Sequence, residues 1–191
     1  DDLRPARSPI GRFGTRDLCV NIRVSHGFLH LPDGTRFRCA CGRGGVGTKR
    51  KEGDGVTPVG TWPLRRLWFR PDRLDEPRTG LPVRAIDPGD IWIDAPDHPE
   101  YNRASRAPVA VSHEELWRND ELYDVFVEIG YNDDPVRPGA GSAIFLHIAR
   151  EDYAPTAGCV ALARADLLRT VAVLAPDSTI IIDPPDQETH A

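Results

Sequence analysis

The chain has 191 residues, of which 40% are hydrophobic and 28% charged, and its formal net charge is −5. This length and balance indicate one soluble globular domain with a core of its own. The mild acidity argues against a nucleic-acid partner, and no apolar run approaches the ~18 residues that a membrane span needs. The 17 Gly and 18 Pro residues favour short strands joined by many turns.

The two ends of the chain differ from the middle in composition. Residues 1–16 are a polar, irregular lead-in, and the chain contains no Met, even at position 1. A chain without an initiator methionine has been trimmed, either by removal of an export signal or by cutting for expression. We expect a lead-in at 1–16, one domain at 17–183 and a loose tail at 184–191.

Short apolar or alternating runs predict seven or eight β-strands. The pair Asp33-Gly34 marks a hairpin turn between two of the first runs. The run at 142–149 is apolar throughout, which predicts a strand buried on both faces. The sequence therefore predicts a mainly-β fold, a sandwich or small barrel with short helices at its edge. Further strands are expected at 60–69, 91–94, 123–131 and 178–183.

Two short helices are expected. Ser112 with Glu115 three residues later forms a capping-box pattern, which predicts a helix that reaches about Asn119. The second helix is expected at 164–174, where Asp166 in the first turn suits the helix dipole. Its apolar stripe consists of Leu167, Leu168, Val171 and Leu174.

The glycine-dense stretch at 42–60 suggests a phosphate-binding loop at first sight. Thr48 and Lys49 do not match the Gly-Lys-Ser/Thr order of such a loop, however, and no helical pattern follows them. The sequence therefore does not favour a nucleotide site.

The four cysteines do not have zinc-binding spacing. Cys19 pairs with Cys39 or Cys41 if their strands are neighbours, and buried free thiols are the alternative. Under either interpretation Cys159 is left over.

Cys159 follows Gly158 in a turn of small residues, and His147 closes the apolar run upstream. One interpretation makes Cys159 a nucleophile with His147 as its base, because a thiol needs a nearby base to react. A glycine there leaves room for a carbonyl substrate, and the N–H groups of Gly158 and Cys159 then face a developing oxyanion together with the Thr156 hydroxyl. The alternative is a buried thiol beside an ordinary core histidine.

Several motifs in order carry a resemblance to a known family. The stretch "PTAGCVAL" follows a histidine-bearing strand "GSAIFLH", and "TKRKEGDGVTPVGTWPL", "YNR", "HEELW" and "GYN" lie upstream. This set resembles L,D-transpeptidases with a YkuD-type catalytic domain, in a branch with Thr-x-Gly-Cys-Val-Ala-Leu, over residues 42–183. The chain departs from the pattern with Ala157, Ala161 and Ile148, where many members have other residues.

The resemblance implies a β-sandwich-like fold, a periplasmic or cell-envelope location and action on peptidoglycan stem peptides. It implies that Cys159 is acylated at an L-to-D bond and that His147 is its base, supported by a backbone carbonyl at Ile148. Thr156 and Gly158 would line the oxyanion site. An amine of a second stem would take the acyl group, giving a 3-3 or 1-3 crosslink. No metal or organic cofactor is implied, and β-lactams of the carbapenem type are expected to acylate the cysteine.

Four residues are predicted to hold the substrate: Arg150 and Arg164, which suit carboxylates, and Tyr101 and Asn102 in a polar loop. Ordinary surface arginines and a turn asparagine are the alternatives. Two other functions remain open beside crosslinking. One is a hydrolytic relative, either an L,D-carboxypeptidase or an amidase that releases a protein from peptidoglycan, and the other is a non-catalytic wall-binding module.

Overall fold

The structure is a computed structural model that describes residues 20–185. The predicted lead-in at 1–16, Cys19 and most of the predicted tail lie outside the described residues. The strands are β1 (Asn21–Ser25), β2 (Phe28–His30), β3 (Arg36–Ala40), β4 (Val46–Gly47), β5 (Thr57–Pro58), β6 (Gly60–Phe69), β7 (Val83–Ala85), β8 (Asp90–Ile93), β9 (Ala104–Arg106), β10 (His113–Glu115), β11 (Val125–Ile129), β12 (Phe145–Ile148), β13 (Val160–Leu162) and β14 (Thr179–Ile182), and the helix is α1 (Arg164–Val171).

Eight strands close into a small barrel in the order β11-β12-β13-β3-β2-β1-β14-β6, because β6 also pairs with β11. The length of β6 makes this closure possible. Its first residues pair with β14, and its later residues pair with β11 on one side and with β7 on the other. The predicted mainly-β fold is confirmed. Of the two predicted architectures, sandwich and small barrel, the closed ring of strands is the small barrel.

The barrel core is built from the inward-facing residues of these strands. The strand β12 has four buried residues, as its unbroken apolar run predicts, and it pairs in parallel with β13. Leu146 and Val160, directly paired across that ladder, are fully buried in the core. Burial of each such side chain stabilises the fold by about 1.5–3 kcal/mol. The core therefore fixes β12, which contains His147, and β13, which begins directly after Cys159.

A second, aromatic cluster lies outside the barrel core and supports a three-stranded sheet, β10-β8-β9. Phe145 of β12 is central to this cluster. Its ring lies 4.7 Å from that of Phe126 and 5.1 Å from that of Trp92, measured between centroids. Cys159 belongs to the same cluster. The small sheet is thus held against the barrel next to the cysteine.

The helix expected from Ser112 to about Asn119 is wrong, because residues 113–115 form β10, which pairs antiparallel with β8. A capping pattern needs an apolar stripe behind it, and here Leu116 and Trp117 are followed by the polar residues 118–121. Pairing with an existing strand satisfies the backbone instead. The C-terminal helix is confirmed as α1, with Leu167 and Val171 buried and Asp166 in the first turn.

Cys39, Cys41 and Cys159 are free thiols in the structure. The predicted pairing with Cys19 involves a residue outside the described range. The eight-residue α1 is the one helix among residues 20–185, so this part of the chain has no helix that is able to span a membrane.

Candidate active site

The parallel pair β12 and β13 brings His147 and Cys159 to one cavity. His147 lies in β12 opposite Ala161 of β13, and Cys159 directly precedes β13. Side chains alternate along a strand, so Leu146 enters the barrel core while Phe145 and His147 take the other face. Both site residues line a cavity of about 410 Å³, and each is only 7% exposed.

The His147 imidazole is held in one orientation. Its Nδ1 lies 2.8 Å from the carbonyl oxygen of Ile148, so Nδ1–H donates there and Nε2 is left as the proton acceptor. The ring of Tyr123 meets the imidazole edge-on at 5.4 Å. Burial lowers the pKa of His147 to about 4, although the Ile148 contact opposes this shift. The imidazole is therefore neutral at pH 7 and able to accept a proton.

The Cys159 thiol is held by two backbone groups. The Phe145 N–H donates to Sγ over 3.3 Å, and Sγ–H donates to the carbonyl oxygen of Ala143 over 3.2 Å. Burial raises the pKa of the thiol to about 12, against the effect of the Phe145 N–H. Within residues 20–185 no hydrogen bond joins the thiol to His147. Both shifts favour the neutral thiol and the neutral imidazole at pH 7.

Gly158 is required by the shape of the turn before Cys159. Its φ is +137°, and an added Cβ atom would lie 3.0 Å from the Val56 carbonyl oxygen and 3.3 Å from Cδ1 of Ile144. A side chain here would collide with backbone and with the core. The glycine thus allows the turn to pack against the segment that contains Val56.

The predicted oxyanion donors are arranged differently from the expectation. The Gly158 N–H donates to Thr156 Oγ1 over 3.1 Å, and the Thr156 hydroxyl donates to the Cys159 carbonyl over 2.7 Å. Both groups therefore stabilise the turn itself. The N–H groups of Ala157 and Cys159 have no hydrogen-bond partner among residues 20–185, so these two amides of the turn are unpaired.

Of the four residues predicted to bind substrate, the structure brings only Arg150 to the cavity. Arg164 instead pairs with the buried carboxylate of Asp124. Asn102 is buried outside the cavity, where its Oδ1 accepts from the Ala143 N–H over 3.1 Å. Arg164 thus stabilises the fold, and Asn102 stabilises the loop beside the thiol. The sequence pattern does not distinguish these structural roles from contact with a substrate.

Tyr101 is also buried outside the cavity. Its hydroxyl donates to Glu52 and accepts from the Gly141 N–H at 3.0 Å. Glu52 accepts a second hydrogen bond, 2.7 Å from the Ser142 hydroxyl. Tyr101 therefore helps to fix residues 141–142, the loop that leads to the thiol's acceptor at Ala143.

Several charged residues of the cavity were not predicted from the sequence. Burial raises the pKa of Glu114, which accepts from the Tyr123 hydroxyl at 3.1 Å. Lys49 is buried and pairs with Asp54. Their only sequence signal was membership of the quoted stretches "HEELW" and "TKRKEGDG". The full set of unpredicted charged lining residues is Arg43, Lys49, Glu52, Asp94, Glu114 and Arg118.

No group of three or more His, Cys, Asp or Glu side chains gathers at a metal-binding distance within residues 20–185. Fold and site together define a mainly-β domain with a cavity that holds a buried cysteine and an oriented histidine. Cysteine-dependent enzymes use such a pair of side chains.

Comparison with known proteins gives the family. The model of the family described as L,D-transpeptidase catalytic domain, YkuD, matches residues 17–182. The chain belongs to this family, and the resemblance expected from the motifs is confirmed. No curated protein matches.

Two solved structures resemble the chain, both of the helical cell shape determining protein Pgp2 from Campylobacter jejuni, one of them a single-residue mutant. Each is 16% identical over 88% of this chain, with TM-scores of 0.45 for the mutant and 0.43 for the other. The chain spans 48% of the length of those two proteins.

Proposed function

We propose that this protein is a peptidoglycan L,D-transpeptidase of the cell envelope, in which Cys159 is acylated and His147 is the base. One observation carries the proposal: a thiol and an imidazole with a free Nε2 line the same cavity, His147 within β12 and Cys159 directly before the parallel strand β13. Family membership supports the proposed substrate class, a stem peptide with an L-to-D bond.

In the first half-reaction the thiol proton moves to Nε2 of His147 while Sγ bonds to the carbonyl carbon. The negative charge passes to the carbonyl oxygen, which the Cys159 N–H is placed to receive. As the C–N bond breaks, the imidazolium returns its proton to the leaving amine. The product is a thioester on Cys159 and a shortened fragment.

In the second half-reaction an amine of a neighbouring stem attacks the thioester carbonyl. Neutral His147 takes the proton of that amine, the C–S bond breaks and the thiolate is protonated again. A neutral resting pair suits both steps, because the imidazole must start each of them unprotonated. Water in place of the amine would give the hydrolytic outcome.

Stem peptides carry carboxylates, and two exposed guanidinium groups at the rim of the cavity fit them. Arg43 and Arg150 both line the cavity and are solvent-exposed. Arg118, in contrast, is held by Asp120 through two hydrogen bonds of 2.6 and 2.8 Å. We assign substrate anchoring to Arg43 and Arg150, since a guanidinium binds a carboxylate in a two-pronged geometry.

The test uses intact mass after incubation with a carbapenem, followed by product analysis with a disaccharide-tetrapeptide. We expect one covalent adduct that the variant Cys159→Ala lacks, and crosslinked dimers among the products. Trimmed monomers together with the same adduct would indicate a hydrolase instead of a transferase. A folded protein without an adduct would point to a non-catalytic wall-binding module.

A further inference from the structure

Lys49 places a buried positive charge beside the nucleophile. Its side chain is 2% exposed, and Nζ lies 2.6 Å from Asp54 Oδ1. Burial opposes ionisation of Asp54, but hydrogen bonds from Lys49 and from backbone N–H groups hold the pKa of that carboxyl below its usual range. Asp54 is thus ionised at neutral pH. A buried ammonium group is costly, so its position needs a reason beyond the ion pair itself.

Gly141 makes the space that this side chain occupies, and Gly158 lies in contact with its end. A Cβ atom added to Gly141, whose φ is +115°, would lie 2.2 Å from Lys49 Cε, and one added to Gly158 would lie 3.6 Å from Nζ. The lysine side chain therefore lies between the loop that ends at Ala143 and the turn that ends at Cys159. The first of these supplies the carbonyl that accepts Sγ–H.

Of the charged groups around the cavity, Lys49 and Glu114 are the ones that act on the thiol. His147 on β12 is neutral, and Tyr123 before β11 keeps its proton because burial raises its pKa. Glu114 on β10 disfavours the thiolate, whereas Lys49 favours it. The remaining charged groups that line the cavity are Arg43, Glu52, Asp94, Arg118 and Arg150.

We propose that Lys49 is a positioning residue for acyl transfer at Cys159. Its ammonium group stabilises the negative charge that forms first on Sγ and then on the attacked carbonyl oxygen. Asp54 holds the ammonium in place, so the field is present before substrate binds. The inference rests on the proposed function and adds to it an electrostatic group on the glycine-rich segment, which we define as residues 42–58.

The test measures the rate of Cys159 alkylation by iodoacetamide against pH, read on the peptide that contains Cys159 so that the other thiols do not contribute. We expect Lys49→Met to shift the rate–pH profile by about one unit to higher pH. Alkylation would then be about tenfold slower at each pH between about 7 and 10. The double variant Lys49→Met with Asp54→Asn removes both charges, and we expect the same displacement. Lys51→Gln, an exposed lysine of the same segment, is the matched control and should not move the profile.

Asp54→Asn alone separates this role from a structural one. It breaks the same ion pair but leaves the ammonium, so no upward displacement is expected. A merely structural lysine predicts that Lys49→Met and Asp54→Asn behave alike, and that result would overturn the inference. An unmoved profile in Lys49→Met overturns it as well. Where the single lysine variant does not fold, the double variant decides, since it leaves no unpaired buried charge.

Alkylation needs no stem peptide, so this test is independent of the proposed reaction. A displaced profile without carbapenem acylation would refute the transpeptidase and leave the electrostatic role of Lys49 standing. An unmoved profile with normal acylation would refute only the role of Lys49.

Discussion

Two regions build the cavity in opposite ways. The strands β12 and β13 bring the thiol and the imidazole through apolar burial, with neighbours set by the barrel ladder. The glycine-rich segment reaches the same cavity through polar contacts: Lys49 pairs with Asp54, and Glu52 accepts from the Ser142 hydroxyl. We therefore expect changes in the strand region to act on stability and changes in the segment to act on the reactivity of the cysteine.

The largest effect is expected from the strand region. Phe145→Ala removes a ring that is 1% exposed and packed against Trp92, Tyr123 and Phe126. We expect the free energy of unfolding to fall by about 3–5 kcal/mol in denaturant titrations. The partly exposed Phe28 provides the control, and Phe28→Ala should cost much less. Equal costs would remove the distinction between the two regions.

Acid should weaken the strand region through His147. Burial holds its folded-state pKa at about 4, below the usual 6.5, so the unfolded chain takes up the proton first. The stabilisation by neutral His147 is therefore complete above pH 6.5 and is lost as the pH falls through 4, by up to about 3 kcal/mol. Denaturant titrations from neutral to acid pH measure it. His147→Gln should flatten the curve in this window, and an unchanged slope would contradict the buried neutral imidazole.

In the glycine-rich segment the expected loss is in activity. Glu52→Ala removes the shared acceptor of Tyr101 and Ser142, which loosens the loop that positions Ala143 beside the thiol. We expect carbapenem acylation to slow by about 10–100-fold, with a loss of stability of only about 1–2 kcal/mol. The exposed Glu76 is the control through Glu76→Ala. A large loss of stability with a normal acylation rate in Glu52→Ala would contradict the expectation that this segment acts on activity.

The smallest effects are expected from the two arginines that the sequence treated alike. Arg150→Ala should raise KM for a stem peptide by about tenfold and leave stability unchanged, because Arg150 lines the cavity. Arg164→Ala should leave KM unchanged and cost about 1 kcal/mol or less, because its partner Asp124 also pairs with Arg73. Kinetics and thermal unfolding of both variants check this, and a KM effect at Arg164 would contradict the structure.

By itself, the sequence determined the mainly-β class and the family. A continuous apolar run specifies a buried strand such as β12, and an ordered set of motifs identifies the family, from which Cys159 and His147 are proposed as the reactive pair. These signals are local, since strand period and motif spacing are read within a few residues.

Tertiary structure alone decided the pairing of β10, the role of Asn102 and the place of Lys49. Residues 113–115 became a strand because β8 offered them a partner, although their local pattern favoured a helix. Asn102 meets the Ala143 N–H across 41 residues, and Lys49 is held between Gly141 and Gly158, both far from it in the chain. Contacts of this kind depend on which loops the closed barrel brings together, and no local pattern encodes that proximity.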